Sequence, residues 1–392
     1  MAGCGGVGIS GASEATGNQL AIYSSLPLQG PSAPRSQEIV NGERLALAQA
    51  GGHVGALKVG YVSLDDANPR TGELDPVATS IDAKTAAQDT STIAYLGELG
   101  SEATAVSLPL INAAGILQVS PASPYIGLTS SLDAGQDEPQ RFYPSGKRNF
   151  GRLALGDRAQ AIAQAKLTRA LGVRQLFVID DQNPFEVPLA QLVATEAEHA
   201  GVTIAGHDSI VATPGSVFSG EVEKIAHSGA QAVFFAGGAG AGTLALWAAL
   251  HRADPHLLLL GSSALAGEAF ASAIGSAGAS TYLTTPVLAA NEYPPAATRV
   301  LDDYRRRFGG QPSAYALYGF EAMSVVLDAI RRAGSHGNDR QTVIDRFFAT
   351  AGRNSVLGRY SMRDDGETTL SRYGVDRVVN GRTRFYRAFD IR

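Results

Sequence analysis

The sequence predicts an α/β protein built from two successive series of strands and helices. Three observations lead to this fold class. Short apolar runs alternate with stretches of helical periodicity, "RFYPSG" at 141–146 interrupts the alternation, and the alternation then starts again. Such a pattern is typical of mostly parallel sheets covered by helices on both faces. With 392 residues, 44% of them hydrophobic, the chain is long enough for two domains of roughly 100–200 residues each.

The first series starts at the apolar run "LAIYSS". Its second helix-like stretch, "DPVATSIDAKTAAQD", opens with Asp and Pro, a pair that suits a helix N-cap and first turn. The predicted strands are 20–25, 57–64, 92–97 and 116–121, and the predicted helices are 37–50, 75–89 and 101–114.

The second series follows the interruption, and a second proline-rich segment, "ANEYPPAA" at 290–297, comes before three late helices. In the tail the periodicity changes to two, and "VVNGRT" predicts a β-hairpin because Asn-Gly suits a type I′ turn. The predicted strands are 175–180, 202–211, 232–237, 257–261 and 280–285, and the predicted helices are 150–171, 186–200, 216–228, 243–252, 266–275, 296–309, 314–333 and 339–350.

Charge and composition argue against several classes of partner. The net charge is −5 and no long basic cluster occurs, so we expect no nucleic-acid partner. No apolar run approaches the roughly 20 residues of a membrane-spanning helix. The seven histidines are scattered, and neither the HExxH spacing nor a G-x-S-x-G elbow is present. We therefore expect no catalytic residues, no metal site and no cofactor.

The single cysteine, Cys4, lies in "MAGCGG" at the start of the chain. A Cys in this small-residue context resembles the end of a bacterial lipoprotein signal, in which the Cys becomes the lipidated first residue. We interpret the Met as a start that replaces a removed leader, and residues 1–19 as a lipid anchor with a flexible tether. The alternative is a free thiol in a floppy tail.

A glycine-rich stretch, "GGAGAG", begins at the end of the predicted strand 232–237 and precedes a helix, as in phosphate-binding loops. A dinucleotide site would need an acidic residue about 20 positions later, but the next strand, "LLLLGSS", has none. A Walker loop would need a Gly-Lys-Ser/Thr sequence, and no Lys is near. Two readings remain and are compatible: tight packing of helix on sheet, or a loop whose backbone approaches a ligand.

A set of stretches occurs along the chain in a telling order: "LPLQGPSAP" followed by "NGERLALAQA", then "GELGSEAT", "GILQVSPASPYIGLT", "RFYPS", "VIDDQNPFEVPLA", "STYLTTP", "YGFEAMSVVLDAI" and "GRYSMRDDGET". Together they resemble the type I periplasmic solute-binding proteins, in particular the branched-chain amino acid binding group of ABC transporters. The resemblance spans nearly all of 20–392 and takes "RFYPS" as a first hinge strand.

The resemblance implies two Rossmann-like lobes joined by three hinge crossings, with a ligand held in the cleft between them. One lobe would comprise 20–141 plus 287–362, and the other 142–286 plus 363–392. A small-molecule ligand would bind at the carboxyl ends of the strands by hinge closure, and a membrane permease would be the partner.

The resemblance also implies the ligand-binding residues. At the predicted start of a helix, Ser101 matches the hydroxyl that anchors a carboxylate, beside backbone N–H groups; Glu102 is expected to compensate the helix dipole. The full set of candidate residues is Gly100, Ser101, Glu102, Ala122, Ser123, Tyr125, Phe185, Gly238, Ala239 and Ser263.

Four residues, at three sites of the expected pocket, differ from what the resemblance implies for amino-acid binders. Pro124 stands in place of a threonine, Gly238 and Ala239 in place of an aromatic ring, and Ser263 in place of the acid that pairs with an ammonium group. Because a desolvated ammonium without a carboxylate is costly, the sequence favours a neutral or simply carboxylated ligand over an ordinary α-amino acid.

The sequence therefore favours a lipid-tethered, extracytoplasmic receptor of an ABC importer that binds without catalysis. A ligand-sensing module that feeds a signalling partner is an alternative, since one fold serves both roles. An NAD-dependent enzyme built on the glycine loop is a second alternative.

Overall fold

The computed structural model describes residues 14, 15 and 17–392. Cys4 and most of the predicted tether lie outside the described residues. Within them, strands and helices alternate over most of the chain. The strands are β1 Gln19–Ser25, β2 His53–Val54, β3 Leu57–Leu64, β4 Thr92–Leu96, β5 Leu117–Ser120, β6 Phe150–Arg152, β7 Gln175–Asp180, β8 Thr203–Ser209, β9 Ala232–Ala236, β10 Leu258–Gly261, β11 Thr281–Thr285, β12 Arg353–Ser355, β13 Gly358–Tyr360, β14 Arg372–Val379 and β15 Arg382–Asp390. The helices are α1 Ala33–Gln49, α2 Pro76–Gln88, α3 Ser101–Ala113, α4 Asp157–Ala170, α5 Val187–His199, α6 Ser219–Ser228, α7 Ala241–Ala253, α8 Glu268–Ala273, α9 Pro295–Phe308, α10 Tyr315–Ala333 and α11 Arg340–Phe348.

The first lobe is built on a six-stranded sheet with the order β2-β3-β1-β4-β5-β6. All its pairings are parallel except the short β2–β3 ladder. Both faces are covered by helices, so the central strands are buried throughout: every residue of β4 and β5 is buried. This is the pattern expected of a parallel sheet.

The second lobe is built on a seven-stranded sheet with the order β15-β14-β11-β10-β9-β7-β8. Strands β7 to β11 run parallel, whereas β14 and β15 join them as an antiparallel hairpin. Asn380 and Gly381 form the hairpin turn with φ of 51° and 72°, which are the positive values that a type I′ turn requires. The fold class predicted from the sequence is confirmed.

The chain passes between the two sheets three times. It leaves the first sheet after β6, returns after β11 to form α9, α10 and α11 beside that sheet, and leaves again between β13 and β14. Arg152, at the end of β6, is 1% exposed and donates to Glu367, which lies on the third crossing. The same guanidinium donates to the carbonyl oxygens of Ser123 and Tyr125 at 3.0 and 2.7 Å.

The structure differs from the predicted elements around the first crossing. The sequence predicted one helix over 150–171 and an extended hinge strand at "RFYPS". Instead, Gln140–Phe142 is a 3₁₀ turn, Phe150–Arg152 is a strand paired with β5, and α4 begins only at Asp157. Residues 150–152 thus belong to the first sheet rather than to the second lobe, because their backbone completes its edge. The other lobe limits stay a prediction.

Candidate functional site

A cavity of about 280 Å³ lies between the two lobes, at the carboxyl ends of the strands. The first lobe contributes the start of α3, the loop after β5 and residues of α1 and α10. The second lobe contributes the loops after β7, β9 and β10. This is the edge at which open parallel sheets bind ligands, and the volume suits a small molecule.

Most of the residues predicted from the sequence line this cavity. They are Gly100, Ser101, Glu102, Ala122, Tyr125, Phe185, Gly238 and Ser263. Ser123 and Ala239 do not line it. Ser123 is fully buried, and its Oγ lies 2.5 Å from Thr104 Oγ1 and 3.1 Å from the Glu98 carbonyl oxygen. Its hydroxyl therefore stabilises the loop from behind.

The first turn of α3 brings unpaired backbone donors to the cavity. Gly100 caps the helix in an extended conformation, and Ser101 is its first residue. The first N–H groups of a helix have no partner within it and carry the positive end of its dipole. Ser101 Oγ accepts from the Tyr125 N–H at 3.0 Å, which fixes the β5–β6 loop against α3. The hydroxyl hydrogen of Ser101 can still be donated.

The loop after β5 is held by its own side chains. The N–H groups of Ala122 and Ser123 both donate to Ser120 Oγ, at 3.1 and 2.9 Å. Ala122 and Ser123 are both among the ligand-binding residues that the resemblance implies. These two N–H groups already have an acceptor, so Ala122 bounds the cavity without offering a free donor.

The glycine loop after β9 combines close packing with one open position. A Cβ on Gly242 would lie 2.1 Å from the backbone of Ala212, and one on Gly237 would lie 2.5 Å from the Phe235 ring. Gly238, in contrast, has nothing nearer than Asp181 Oδ2 at 4.0 Å, and its N–H donates to that oxygen at 2.9 Å. A carboxylate thus occupies the donor that a phosphate would use.

Contacts across the cleft join the two lobes near the cavity. Asn183 Nδ2 donates to Glu102 Oε1 at 2.6 Å. The rings of Tyr125 and Phe185 meet edge to face with centroids 5.0 Å apart. Arg35, on α1, donates to the carbonyl oxygen of Ala266 in the second lobe. The structure therefore shows the lobes in mutual contact around the cavity.

Four charged side chains line the cavity: Arg35, Glu102, Asp157 and Glu186. Arg35 lies over the Tyr315 ring, 4.5 Å from its centroid. Asp157, the first residue of α4, is 2% exposed and accepts from the Ile126 N–H at 3.0 Å. Burial raises the pKa of Asp157 to about 7, although the nearby Arg152 charge opposes this.

Glu186 lies just before α5, and its Oε2 is buried without a hydrogen-bond partner. Burial, together with repulsion from Asp157 and Asp181, raises the pKa of Glu186 to about 8. Ser263 supplies no acid, but the inference that the cleft therefore lacks one to pair with an ammonium group is wrong, because Asp157 and Glu186 line the cavity. Two other helix starts supply carboxyl groups, which a scan of the aligned position alone could not find.

The comparisons with known proteins agree with this architecture. The chain belongs to the periplasmic binding protein family, whose sequence profile matches residues 24–382. Among the described residues, no helix combines the length and apolar character needed to cross a bilayer. Within the same part of the chain, no three His, Cys, Asp or Glu side chains are grouped to hold a metal ion. A search of curated proteins found no match.

Solved structures share the fold over nearly the whole chain. A leucine-binding protein from Thermotoga maritima is 20% identical, with a TM-score of 0.77 and coverage of 95% of this chain and 99% of that one. A branched-chain amino acid binding protein from Streptococcus pneumoniae, in complex with isoleucine, is 17% identical, with a TM-score of 0.73 and coverage of 94% and 98%. A solute-binding protein of an ABC transporter from R. palustris, in complex with benzoate, is 16% identical, with a TM-score of 0.72 and coverage of 94% and 96%.

Proposed function

We propose that the chain is the solute-binding receptor of an ABC importer and captures a small ligand between its lobes. The observation that carries this proposal is a cavity lined by both lobes at the carboxyl edges of their sheets. Family membership implies a location outside the cytoplasm. The closed form with ligand would dock on a membrane permease.

Capture follows from contacts that need both lobes. A ligand group at the start of α3 meets the first-turn donors and the Ser101 hydroxyl, while its far end meets the residues around Phe185 and Gly238. A ligand shifts the equilibrium toward closure only by the difference between its affinities for the closed and open forms. Direct contacts such as that between Glu102 and Asn183 add to closure, because they form only when the lobes meet.

The ligand class that we propose is a small amino-acid-like or carboxylated molecule. The donors at the start of α3 suit a carboxylate, and the Arg35 guanidinium, which lines the same cavity, is a second group that can bind one. The fold relatives named above were solved with isoleucine and with benzoate, both of which carry a carboxylate. All candidate residues of the sequence that line the cavity keep their proposed role as ligand contacts.

The receptor is proposed to act without catalysis or cofactor. The strongest enzymatic rival, a nicotinamide-dependent enzyme, would place a phosphate at the glycine loop, where Asp181 already binds the Gly238 N–H. A carboxylate at this position repels a phosphate.

We also propose that the native protein is anchored through lipidated Cys4. Mass spectrometry of the protein extracted from membranes would show a diacylglyceryl adduct, and an unmodified Cys4 would rule the anchor out.

A thermal-shift screen tests the receptor function. The library should contain amino acids, aromatic acids, amides and short-chain carboxylates, with NAD and NADP as separate samples. We expect at least one small solute to raise the melting temperature, since a ligand that binds only the folded state stabilises it, and to lower the radius of gyration in X-ray scattering. Stabilisation by NAD or NADP instead would favour the enzymatic alternative.

A further inference from the structure

The charges around the cavity do not balance. Glu102, Asp157 and Glu186 face a single cation, Arg35. A zwitterionic amino acid whose carboxylate binds at Arg35 and whose ammonium binds one acid leaves two carboxyl groups without a charge partner. Uncompensated buried charge is costly, so a carboxyl group left without a cation is driven toward its protonated form, whereas a ligand of net positive charge can pair with the ionised form.

The groups behind the lining do not remove this excess. Arg152 lies close enough to Asp157 to affect its titration, but its guanidinium already binds Glu367 and the backbone of the β5–β6 loop. Asp181 adds a further negative charge near Glu186. Glu102 accepts from the neutral amide of Asn183, which leaves its charge in place.

Glu186 is the acidic residue of the cavity whose carboxyl oxygen lacks a hydrogen-bond partner. Its Oε2 is buried, has no hydrogen-bond partner and belongs to a side chain that lines the cavity. A buried polar atom in a native protein is nearly always hydrogen-bonded. The aromatic pair Tyr125 and Phe185 lines the same cavity as this oxygen. An acid next to aromatic rings is the combination that binds organic cations.

We propose that the ligand carries net positive charge, with an ammonium or guanidinium group held by Glu186 and Asp157. The proposal rests on the receptor function proposed above and narrows its ligand to cationic amino-acid-like molecules. The carboxylate of such a ligand binds the donors at the start of α3 or Arg35, and its side-chain cation binds the carboxyl groups of Glu186 and Asp157.

Calorimetry with three amino acids of similar size but different side-chain charge tests the proposal. L-Lysine, L-norleucine and L-2-aminoadipate share the α-amino acid head and differ mainly in the charge at the end of the side chain. We expect L-lysine to bind most tightly and L-2-aminoadipate most weakly. Tighter binding of L-norleucine or L-2-aminoadipate would overturn the cationic ligand but leave the receptor function standing. Failure of all three to bind would also overturn it, while the receptor function is judged by the wider screen.

The variant Glu186→Gln supplies the matched test. It keeps the shape of the side chain and removes its charge, so L-lysine should bind about tenfold more weakly, the loss typical of a hydrogen bond to a charged group. Glu198→Gln, at an exposed position on the same helix α5, should bind as the wild type does. Equal affinity in Glu186→Gln would remove Glu186 from the cation site.

Proton release gives a readout that a merely structural role would not produce. Burial, together with repulsion from Asp157, Asp181 and Glu102, raises the pKa of Glu186 to about 8, so we expect the free protein to hold this carboxyl largely protonated at pH 7. A bound cation favours the ionised form. Calorimetry in buffers of different ionisation enthalpy should therefore show release of up to about one proton per L-lysine at pH 7, and little at pH 9. No release at pH 7 would contradict the proposed pairing.

Discussion

The side-chain amide of Asn183 donates to the Glu102 carboxylate across the cleft, with Nδ2 and Oε1 2.6 Å apart. Replacing the amide by a carboxylate in Asn183→Asp keeps the acceptor that binds the Phe185 N–H at 2.9 Å but opposes two negative charges. We expect the closed form to be disfavoured by roughly two- to tenfold, because one hydrogen bond contributes about 0.5–1.5 kcal/mol. X-ray scattering of the free protein measures the shift as a larger radius of gyration.

A second substitution controls for this effect. Glu102→Gln in the Asn183→Asp background restores a donor opposite the new carboxylate, so the radius of gyration should return toward that of the wild type. If the double variant is as open as the single one, the contact between positions 102 and 183 does not contribute to closure.

Ser101→Ala should affect both stability and binding. It leaves the Tyr125 N–H without the acceptor that lies at 3.0 Å, so urea denaturation should show a loss of about 1–3 kcal/mol. Calorimetry with a compound identified by the screen should show weaker binding. Ser272→Ala, on the exposed face of α8, is the control and should change neither. Unchanged affinity in Ser101→Ala would remove its hydroxyl from the site.

Gly238 and Gly242, both in the glycine-rich stretch after β9, should differ in how the protein tolerates an added methyl group. In Gly242→Ala the new Cβ would overlap the backbone of Ala212 at 2.1 Å, so we expect a loss of about 1–3 kcal/mol from overpacking. Gly238→Ala has nothing within 4.0 Å except Asp181 Oδ2 and should keep the stability of the wild type. Thermal denaturation of both variants measures the contrast, and equal melting temperatures would contradict the packing role of Gly242.

Stability should fall as the pH rises from about 4 to 8. Burial raises the pKa of Glu43 to about 8, while Tyr61 donates to its Oε2 at 2.5 Å. A carboxyl with a raised pKa binds more protons in the folded state. Its contribution is therefore complete below the pKa of the unfolded chain and is lost as the pH rises through the folded value.

One such group gives a slope of at most about 1.4 kcal/mol per pH unit. Glu43→Gln should flatten the pH profile measured by urea denaturation, since Gln cannot titrate, whereas Glu198→Gln at an exposed site should leave it unchanged. A profile of Glu43→Gln as steep as that of the wild type would show that Glu43 is not the group responsible.

The buried ion pair between Arg152 and Glu367 should contribute much more than an exposed one. Arg152→Met leaves Glu367 without its cation and the carbonyl oxygens of Ser123 and Tyr125 without a donor. We expect a loss of about 3–5 kcal/mol in the free energy of unfolding. The control, Arg306→Met, breaks an ion pair whose arginine is 73% exposed and should cost less than about 1 kcal/mol.

The sequence predicted well the features that depend on local chemistry. The turn at Asn380 and Gly381 follows from residues that accept positive φ, and Asp75 caps α2 through the Val77 N–H at 2.8 Å. The strand Phe150–Arg152 was missed because it consists of three residues whose pairing partner, β5, lies about 30 residues earlier. Short apolar runs do not distinguish a strand from the first turn of a helix.

The acidic residues Asp157 and Glu186 of the cavity were missed for a different reason. Asp157 and Glu186 stand at helix starts, where an acid is expected to compensate the dipole. Only the fold shows that both helix starts point to one cavity. The signal in the sequence would have been an acidic residue at the start of a helix that follows a strand, as Asp157 and Glu186 are.

The link between Arg152 and Glu367 bears on how the lobes rotate. It joins the first connection, at the end of β6, to the third, between β13 and β14, so we expect these two connections to move together. The remaining connection, after β11, then supplies the second pivot. Two pivots define one axis, so we expect the lobes to rotate about a single hinge axis rather than to slide or twist. A permease would then recognise one angle between the lobes.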